Sequence, residues 1–564
     1  MKPNIRITAA RLAALLVLAA LLGAGVQAAV AAENTMTMSI GTDMKIGTDP
    51  SLDSNEWSDV GGVQTYHDFT HNSPLITVDK DGNVIPWMAE SYEVSDDYKT
   101  ITFHLRKGIK FADGTPLNAS IIKFNFERVL TFGRQEWGKK LQLNQFIYFD
   151  HCDAPDEYTV EIHFTKGWLD MPYNLATNGA YFWSFLNPAD VSPAWDIKGM
   201  LKPEKMYNGL GPYYVDVNES ILNQTIVLMR RHSWRDDLNF HKPKLDKIVL
   251  KVIKDSQVAV MALEKGDIDY ICRQWDAPLD SLPQIEENPD IIIKTRTAGK
   301  IYLLKTAYWE EPFNGTDGFL LRKAICYALN RTEMVEGAFN GYALPATDTM
   351  ELSPQRPNVP KCCGKGYDYD LNKAKQFLAE AGWKDTDGDG ILDKNGESLK
   401  DLKLVVTSDS SQIYQKDLAL ILQSQLKKVG INIEIQTVEL AEYWEEAREG
   451  KYDLIILYNG GLPTALSLEV NSFKLEGGYK RSFYENQNGT LKTIADNIST
   501  AVNKEARDKD ICQLCNILYE EAGVIPLVYE MQYAVMNKKV KGFEQGSDPF
   551  KAFLDHVEKC WIED

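Results

Sequence analysis

Between Asp370 and Tyr458 the chain alternates helix-period and strand-period segments, and this alternation narrows its possible folds more than any other feature. Asp370 stands where it would cap a helix in which Leu371, Ala374, Leu378 and Ala381 share a face, and Gly382 would stop it. Leu402 to Thr407 reads as a strand and Tyr414 to Val429 as a helix ending at Gly430. Ile431, Ile433 and Ile435 alternate in the strand that follows. A further helix from about Leu440 leads to a strand over Tyr452 to Tyr458. A β-α-β-α-β order of this kind implies an α/β fold with a mainly parallel, twisted sheet, and ligands are favoured at the carboxyl ends of its strands.

The first half carries similar signals. Thr100 to Leu105 alternates apolar and polar residues, Asp113-Gly114 turns the chain, and Asn118 is placed to cap a helix bearing Ile121, Phe124, Phe126 and Leu130. Tyr158 to Phe164 and Leu245 to Ile253 read as strands, the second followed by a helix from about Ser256 to Lys265 that ends at Gly266.

The N-terminus has a different character. Lys2, Arg6 and Arg11 precede the apolar stretch Leu12 to Leu22, and Ala29-Val30-Ala31-Ala32 supplies small residues before Glu33. This is the pattern of a secretory signal peptide over residues 1–32, cleaved near Ala31 or Ala32, and it places the remaining chain in the periplasm. The 564 residues carry a formal net charge of −19. The three basic residues of the leader leave with it, so the expected working chain is at −22. A field of that sign repels polyphosphates and excludes nucleic acid as a partner.

Eight cysteines fit an oxidising compartment. Cys512 and Cys515 lie in a helix-like run, and the expected use is a disulfide to Cys560 or to the Cys362-Cys363 loop, rather than a redox or metal pair. In the segment 385–393, Asp385, Asp387, Asp389 and Asp393 take alternate positions of a calcium-loop pattern around Gly390. Position twelve is Gly396 where a Glu is needed, so a solvated Asp/Gly turn competes with a structural calcium, the one cofactor the sequence suggests.

A set of segments in order resembles the family 5 extracellular solute-binding proteins, which serve ABC importers of peptides, nickel and related chelates. The set starts with Asp81-Gly-Asn-Val-Ile-Pro-Trp-Met-Ala-Glu-Ser-Tyr92 and the stretch Thr100 to Leu117. It continues through Gly209-Leu-Gly-Pro-Tyr213, Ala262-Leu-Glu-Lys-Gly-Asp-Ile-Asp269, Leu321 to Arg331, Ala374 to Trp383 and Gly523-Val-Ile-Pro-Leu527. The resemblance implies a two-lobed periplasmic binding protein with an additional α/β domain inserted in lobe one. Lobe one would comprise 33–80, 205–295 and 531–564, the inserted domain 81–204, and lobe two 296–530.

The resemblance also implies ligand contacts. Peptide-binding members place an acid after the strand equivalent to Tyr452 to Tyr458; here the chain reads Tyr458-Asn459-Gly-Gly-Leu-Pro-Thr464, with no acid until Glu469. Arg134-Gln-Glu-Trp137 matches the Arg-x-x-Trp of nickel-type members, whose guanidinium meets the carboxylates of a chelated metal. A second arginine of that pocket is replaced by Ser184, beside Trp183, and no histidine stands between Ser472 and Gly489. Tyr66, Tyr302, Tyr458, Asn459 and Thr464 map near the cleft by the same resemblance, and Lys305 stands where relatives carry an uncharged polar residue. His67 and His71, four apart, would share a helical face and could hold a transition metal. His104, His151, His163, His232, His241 and His556 are scattered in sequence and read as structural.

The function expected is therefore capture, not catalysis: a monomeric receptor taking a small molecule, peptide or metal chelate and passing it to an ABC permease in the inner membrane. An exported hydrolase is the competing class, although no His-Glu-x-x-His, Gly-x-Ser-x-Gly or Walker motif is present. A periplasmic chaperone or sensor on the same fold is the third.

Overall fold

The structure, a computed structural model, describes residues 34–41, 69–70, 73–79, 83–136, 148–178, 185–191, 208–221, 223–232, 242–272, 276–347, 360, 362, 366–409, 414–460, 490–544 and 557–563. The expected signal peptide and its cleavage point lie outside the described residues.

Strand β1 (Thr35–Ile40) is followed by a short antiparallel pair, β2 (Ile76–Val78) and β3 (Val84–Pro86). Next come β4 (Ala89–Val94), β5 (Thr100–Leu105), helix α1 (Ala119–Glu136), β6 (Phe149–Asp156), β7 (Thr159–Phe164) and helix α2 (Met171–Asn178). The strands form an antiparallel sheet in the order β4-β5-β7-β6. Alternation sets its two faces. Ile101, Phe103 and Leu105 of β5 and Val160, Ile162 and Phe164 of β7 are buried, while the residues between them turn outward. The inner face packs with Ile122 and Phe126 of α1 and Leu175 of α2 in a core of its own. Each side chain fully buried there contributes about 1.5–3 kcal/mol. Asn118 caps α1 as its position predicts, its Oδ1 accepting from Ile121 N at 3.1 Å.

The second body begins with β8 (Tyr213–Val215), β9 (Thr225–Arg230), β10 (Lys247–Val252), α3 (Ser256–Lys265), β11 (Tyr270–Ile271), α4 (Leu282–Glu286) and the sixteen-residue β12 (Ile291–Thr306). Asp255 caps α3 by accepting from Val258 N at 2.9 Å, and Gly266 ends it at φ 77°. Then follow α5 (Gly315–Ala328), α6 (Arg331–Phe339), β13 (Ala343–Pro345), α7 (Leu371–Glu380), the small hairpin β14 (Asp393–Lys394) and β15 (Glu397–Ser398), β16 (Leu402–Thr407), α8 (Tyr414–Lys427), β17 (Ile433–Val438), α9 (Leu440–Glu449) and β18 (Leu454–Gly460). The chain finishes with α10 (Thr490–Ser499), α11 (Lys504–Glu521), β19 (Val524–Asn537), β20 (Val540–Lys541) and β21 (Trp561–Ile562).

One large sheet runs β17-β16-β18-β12-β19-β11-β1-β10-β9-β8, with β13 beside β19. The mainly parallel sheet expected from the β-α-β-α-β order is found only locally, in β17-β16-β18 at one end and around β1, β10 and β11 at the other. Its centre is antiparallel, because β12 and β19 pair with each other and with β18 and β11 respectively. These long strands join partners far apart in sequence, and a local periodicity carries no information about such pairing. Their mutual register breaks between Thr297 and Ile301 and again at Tyr302/Leu303. The lobe boundaries expected at 295/296 and 530/531 fall inside β12 and β19. The C-terminus returns to the start of the chain: Asn34 Nδ2 donates to Ile562 O at 2.8 Å, and Ile562 N donates to Asn34 Oδ1 at 2.9 Å.

Cys362 and Cys512 form a disulfide with Cα atoms 5.5 Å apart, tying α11 to the 362 loop. Cys515 is disulfide-bonded as well. Of the two partners the sequence offered, the loop is used and Cys560 is not: Cys560 is a buried thiol in lobe one's core, away from α11.

Candidate ligand-binding cleft

The body carrying the four-stranded sheet and the body carrying the large sheet meet between α2 and α11. Arg507 on α11 is almost wholly buried, and its guanidinium lies 2.5 Å from Oδ1 of Asp170, the residue leading into α2. Two further nitrogens of the same guanidinium donate to Asp508 Oδ1 at 3.1 and 3.0 Å. Alongside, Leu169 N donates to Ala501 O at 2.7 Å. Helix α11 packs with the large-sheet body, where Arg322 and Lys323 of α5 donate to the carbonyls of Glu521 and Tyr519 at 3.0 and 2.6 Å. The Arg507–Asp170 pair thus bridges the body carrying the four-stranded sheet and the body carrying the large sheet.

At the register break, adjacent strands bring several expected ligand residues together. Tyr302 is opposite Tyr458, and Ile301 is opposite Asn459. Lys305 is half-buried, opposite Ile455 and Val524. Tyr302 is 2% exposed, its ring centroid is 5.5 Å from that of Phe339, and it packs in the same core as Leu304. Arg134 lies in the last turn of α1, but its side chain is outside the described residues, as are those of Tyr458 and Asn459. Tyr66, His67, His71, Trp137, Trp183, Ser184 and Thr464 lie wholly outside them.

The segments that carried the family resemblance prove to be scaffold. In 321–331, Arg331 is buried and donates Nε to Pro526 O at 2.8 Å, while Asn330 caps α6 by accepting from Glu333 N. In 209–213, Gly211 N donates to Thr70 O at 2.8 Å, and a Cβ on Gly211 would stand 2.4 Å from Phe69 O. In 262–269, Asp269 holds β1 by accepting from Thr37 N at 2.7 Å, and burial raises its carboxyl pKa. These roles depend on close backbone approach and cap geometry, which are independent of the ligand.

Residues 83–475, more than half of the chain, match the bacterial extracellular solute-binding proteins, family 5 middle region. The chain belongs to that family. The solute-binding protein is 27% identical over 466 residues to the nickel-binding periplasmic protein of Escherichia coli K12, covering 81% of this chain and 83% of that one. It is 26% identical over 497 residues to the oligopeptide-binding protein AppA of Bacillus subtilis 168, covering 86% and 85%. Its fold is that of the two-lobed periplasmic binding proteins. NikA from Brucella suis, in complex with Fe(III)-EDTA, superimposes with a TM-score of 0.79 at 22% identity, covering 94% of this chain and all of that one. These relatives are binding proteins, not enzymes, so neither the hydrolase nor the chaperone reading gains support. Among the described residues no helix is long and apolar enough to cross a membrane.

Two polar clusters lie on the surface of the solute-binding protein. In the 385–393 turn, Asp385 accepts from Gly388 N and Gly390 N at 2.7 and 3.1 Å, Asp387 from Asp389 N, and Asp389 from Ile391 N. Carboxylate oxygens of Asp385, Asp387 and Asp393 lie within 4.8 Å of one another; Asp389 is not of that group, and its other oxygen faces Lys400 at 4.0 Å. The second cluster joins His151 and His163, scattered in sequence, because β6 and β7 pair them directly across the sheet. The turn at 157–158 alone would set residue 151 opposite 164; a register shift between Asp153 and Asp156, which the sequence pattern does not announce, brings it opposite 163. Between them Asp153 is held below the usual carboxylate range, chiefly by the hydrogen bond from Lys123. Neighbouring Cys152 is buried in the core beneath the sheet, and burial pushes its thiol up to about 12.

Proposed function

We propose that this solute-binding protein is the capture component of an ABC importer, exported by residues 1–32 and working as a periplasmic monomer. It takes a small hydrophilic ligand of the peptide or metal-chelate class and hands it to an inner-membrane permease. The observation that carries this reading is the pair of long strands β12 and β19 at the middle of the large sheet, whose mutual register breaks at Thr297/Ile301. A sheet interrupted there can bend while each lobe stays rigid, so ligand bound to one lobe is covered by the other. Only a ligand with higher affinity for the closed form drives that change.

The division into lobe one (33–80, 205–295, 531–564), inserted domain (81–204) and lobe two (296–530) puts Tyr66, Arg134, Trp137, Trp183 and Ser184 on one side of the cleft. Lys305, Tyr458, Asn459 and Thr464 then face them. Arg134 would clamp a ligand carboxylate, a group shared by peptides and chelators, and His67 and His71 would supply imidazoles to a chelated metal. The ligand class is decided by native mass spectrometry with metal analysis on protein isolated without refolding. A mixture of peptide masses without metal removes the chelate; one chelator mass with stoichiometric metal removes the peptide. Arg134→Ala should weaken the ligand by about 2–5 kcal/mol for a buried charge pair, and unchanged affinity by calorimetry takes Arg134 out of the site.

A further inference from the structure

The outer face of the inserted domain's sheet carries a group of side chains that solute capture does not use. His151 on β6 and His163 on β7 are cross-strand neighbours, with rings stacked 4.3 Å apart at 16°. Each has its Nδ1 engaged, His151 by Asp150 Oδ2 at 3.0 Å and His163 by Thr100 Oγ1 at 3.1 Å. Each therefore turns Nε2 to the same oxygen, Asp153 Oδ2, at 3.4 Å from His151 and 4.0 Å from His163. Asp153 uses its other oxygen, Oδ1, to accept from Lys123 Nζ at 3.0 Å, which leaves Oδ2 for the imidazoles. Glu161, opposite Asp153 in the ladder, brings Oε2 to 3.6 Å from His163 Nε2.

We propose that His151 Nε2, His163 Nε2 and Asp153 Oδ2 form a binding site for a divalent transition cation of the zinc type, with Glu161 or water completing it. The three ligand atoms lie within 4.8 Å of one another. A tetrahedral zinc with bonds of about 2.0–2.2 Å needs them roughly 3.3 Å apart, a contraction that half-exposed side chains make by small rotations. Imidazole with carboxylate is the donor set of zinc, nickel and copper, whereas calcium and magnesium call for oxygen alone. Asp150 and Thr100 are the outer partners such a site requires, because Nδ1–H donated to an oxygen presents the Nε2 lone pair outward. A site on β6 and β7 is built by one domain and is independent of lobe closure.

The test is titration of the mature protein with zinc, in competition with a chromophoric chelator, and with cobalt as a spectroscopic substitute. One equivalent of zinc should bind, unaffected by millimolar magnesium or calcium, and the cobalt form should show the absorption of a four-coordinate nitrogen–oxygen site. His163→Ala and His151→Ala should each weaken that equivalent at least about 100-fold, and Asp150→Asn about 10-fold. Asp153→Asn, which keeps the side chain's shape, should act like the histidine variants with an unchanged melting temperature. His67→Ala/His71→Ala should leave the equivalent intact. The proposal is overturned if the wild type binds no zinc, if His151→Ala/His163→Ala binds it as the wild type does, or if the His67/His71 variant is the one that loses it.

Discussion

Asp170→Asn tests the link between the lobes at the point where it is most concentrated. The substitution keeps the size of the side chain and removes only its charge, and the partner Arg507 has 3% of its side chain exposed while Asp170 has 16%. Breaking a buried pair typically costs about 3–5 kcal/mol because a charge is left uncompensated. Here Arg507 retains Asp508 through two nitrogens, so the loss falls toward that of one charged hydrogen bond, about 2 kcal/mol. If opening separates α11 from α2, the whole of that loss acts on the closed form, and about 2 kcal/mol shifts the closed-to-open ratio roughly 30-fold. Förster distances between dyes on the inserted domain and lobe two should lengthen in the ligand-free variant, and release of the bound ligand should accelerate by up to the same factor. A double-mutant cycle with Arg507→Met isolates the pair from packing losses. The reasoning fails if the variant melts lower yet keeps the wild-type distances and release rate, for then the contact belongs to both states.

Full reduction should destabilise lobe two, since the Cys362–Cys512 bond spans a separation of 150 residues; the chain-entropy estimate is about 5 kcal/mol, and melting with and without dithiothreitol should differ by several degrees. Gly211→Ala should cost about 1–3 kcal/mol or more, read from denaturant unfolding, because its Cβ would stand 2.4 Å from Phe69 O; wild-type stability would show that the 69–70 backbone yields easily. Asp385→Ala should lower the melting temperature by a few degrees through loss of two backbone acceptor contacts. Melting of the wild type in calcium against a chelator assigns the role of that turn: a higher temperature in calcium makes Asp385, Asp387 and Asp393 ion ligands, and equal temperatures make them staples alone.

Where local pattern determines structure, the sequence was legible. Asp370 caps its helix by accepting from Lys373 N at 3.0 Å, Gly382 follows at φ 85°, and β16, α8, β17, α9 and β18 lie within a residue or two of the stretches that periodicity marks. The family was legible for a related reason: its recurring segments are caps, tight glycine contacts and buried cations, each set by neighbours close by in the fold. What periodicity could not supply was pairing at a distance. The partners of β12 are contributed from residues 454–460 and 524–537, far from it in sequence. Tyr302 maps near the cleft by resemblance, and the burial of its ring by Phe339 follows from contacts that the sequence pattern does not carry. His151 and His163 looked unrelated because twelve residues separate them, and only the hairpin register joins them.

The hydrogen bonds between Asn34 and Ile562 have a consequence for how the chain is made. Strand β1 lies beside β11, which in turn pairs with β19, and the residue just before β1 is fastened by Ile562, the last strand residue among those described. The four-stranded sheet can form as soon as residue 164 has been synthesised, but lobe one must wait, with β1 incomplete, for nearly all of the remaining residues. For most of its synthesis the chain can thus hold a folded insert between unfinished ends, with its long-range pairing left to the last residues.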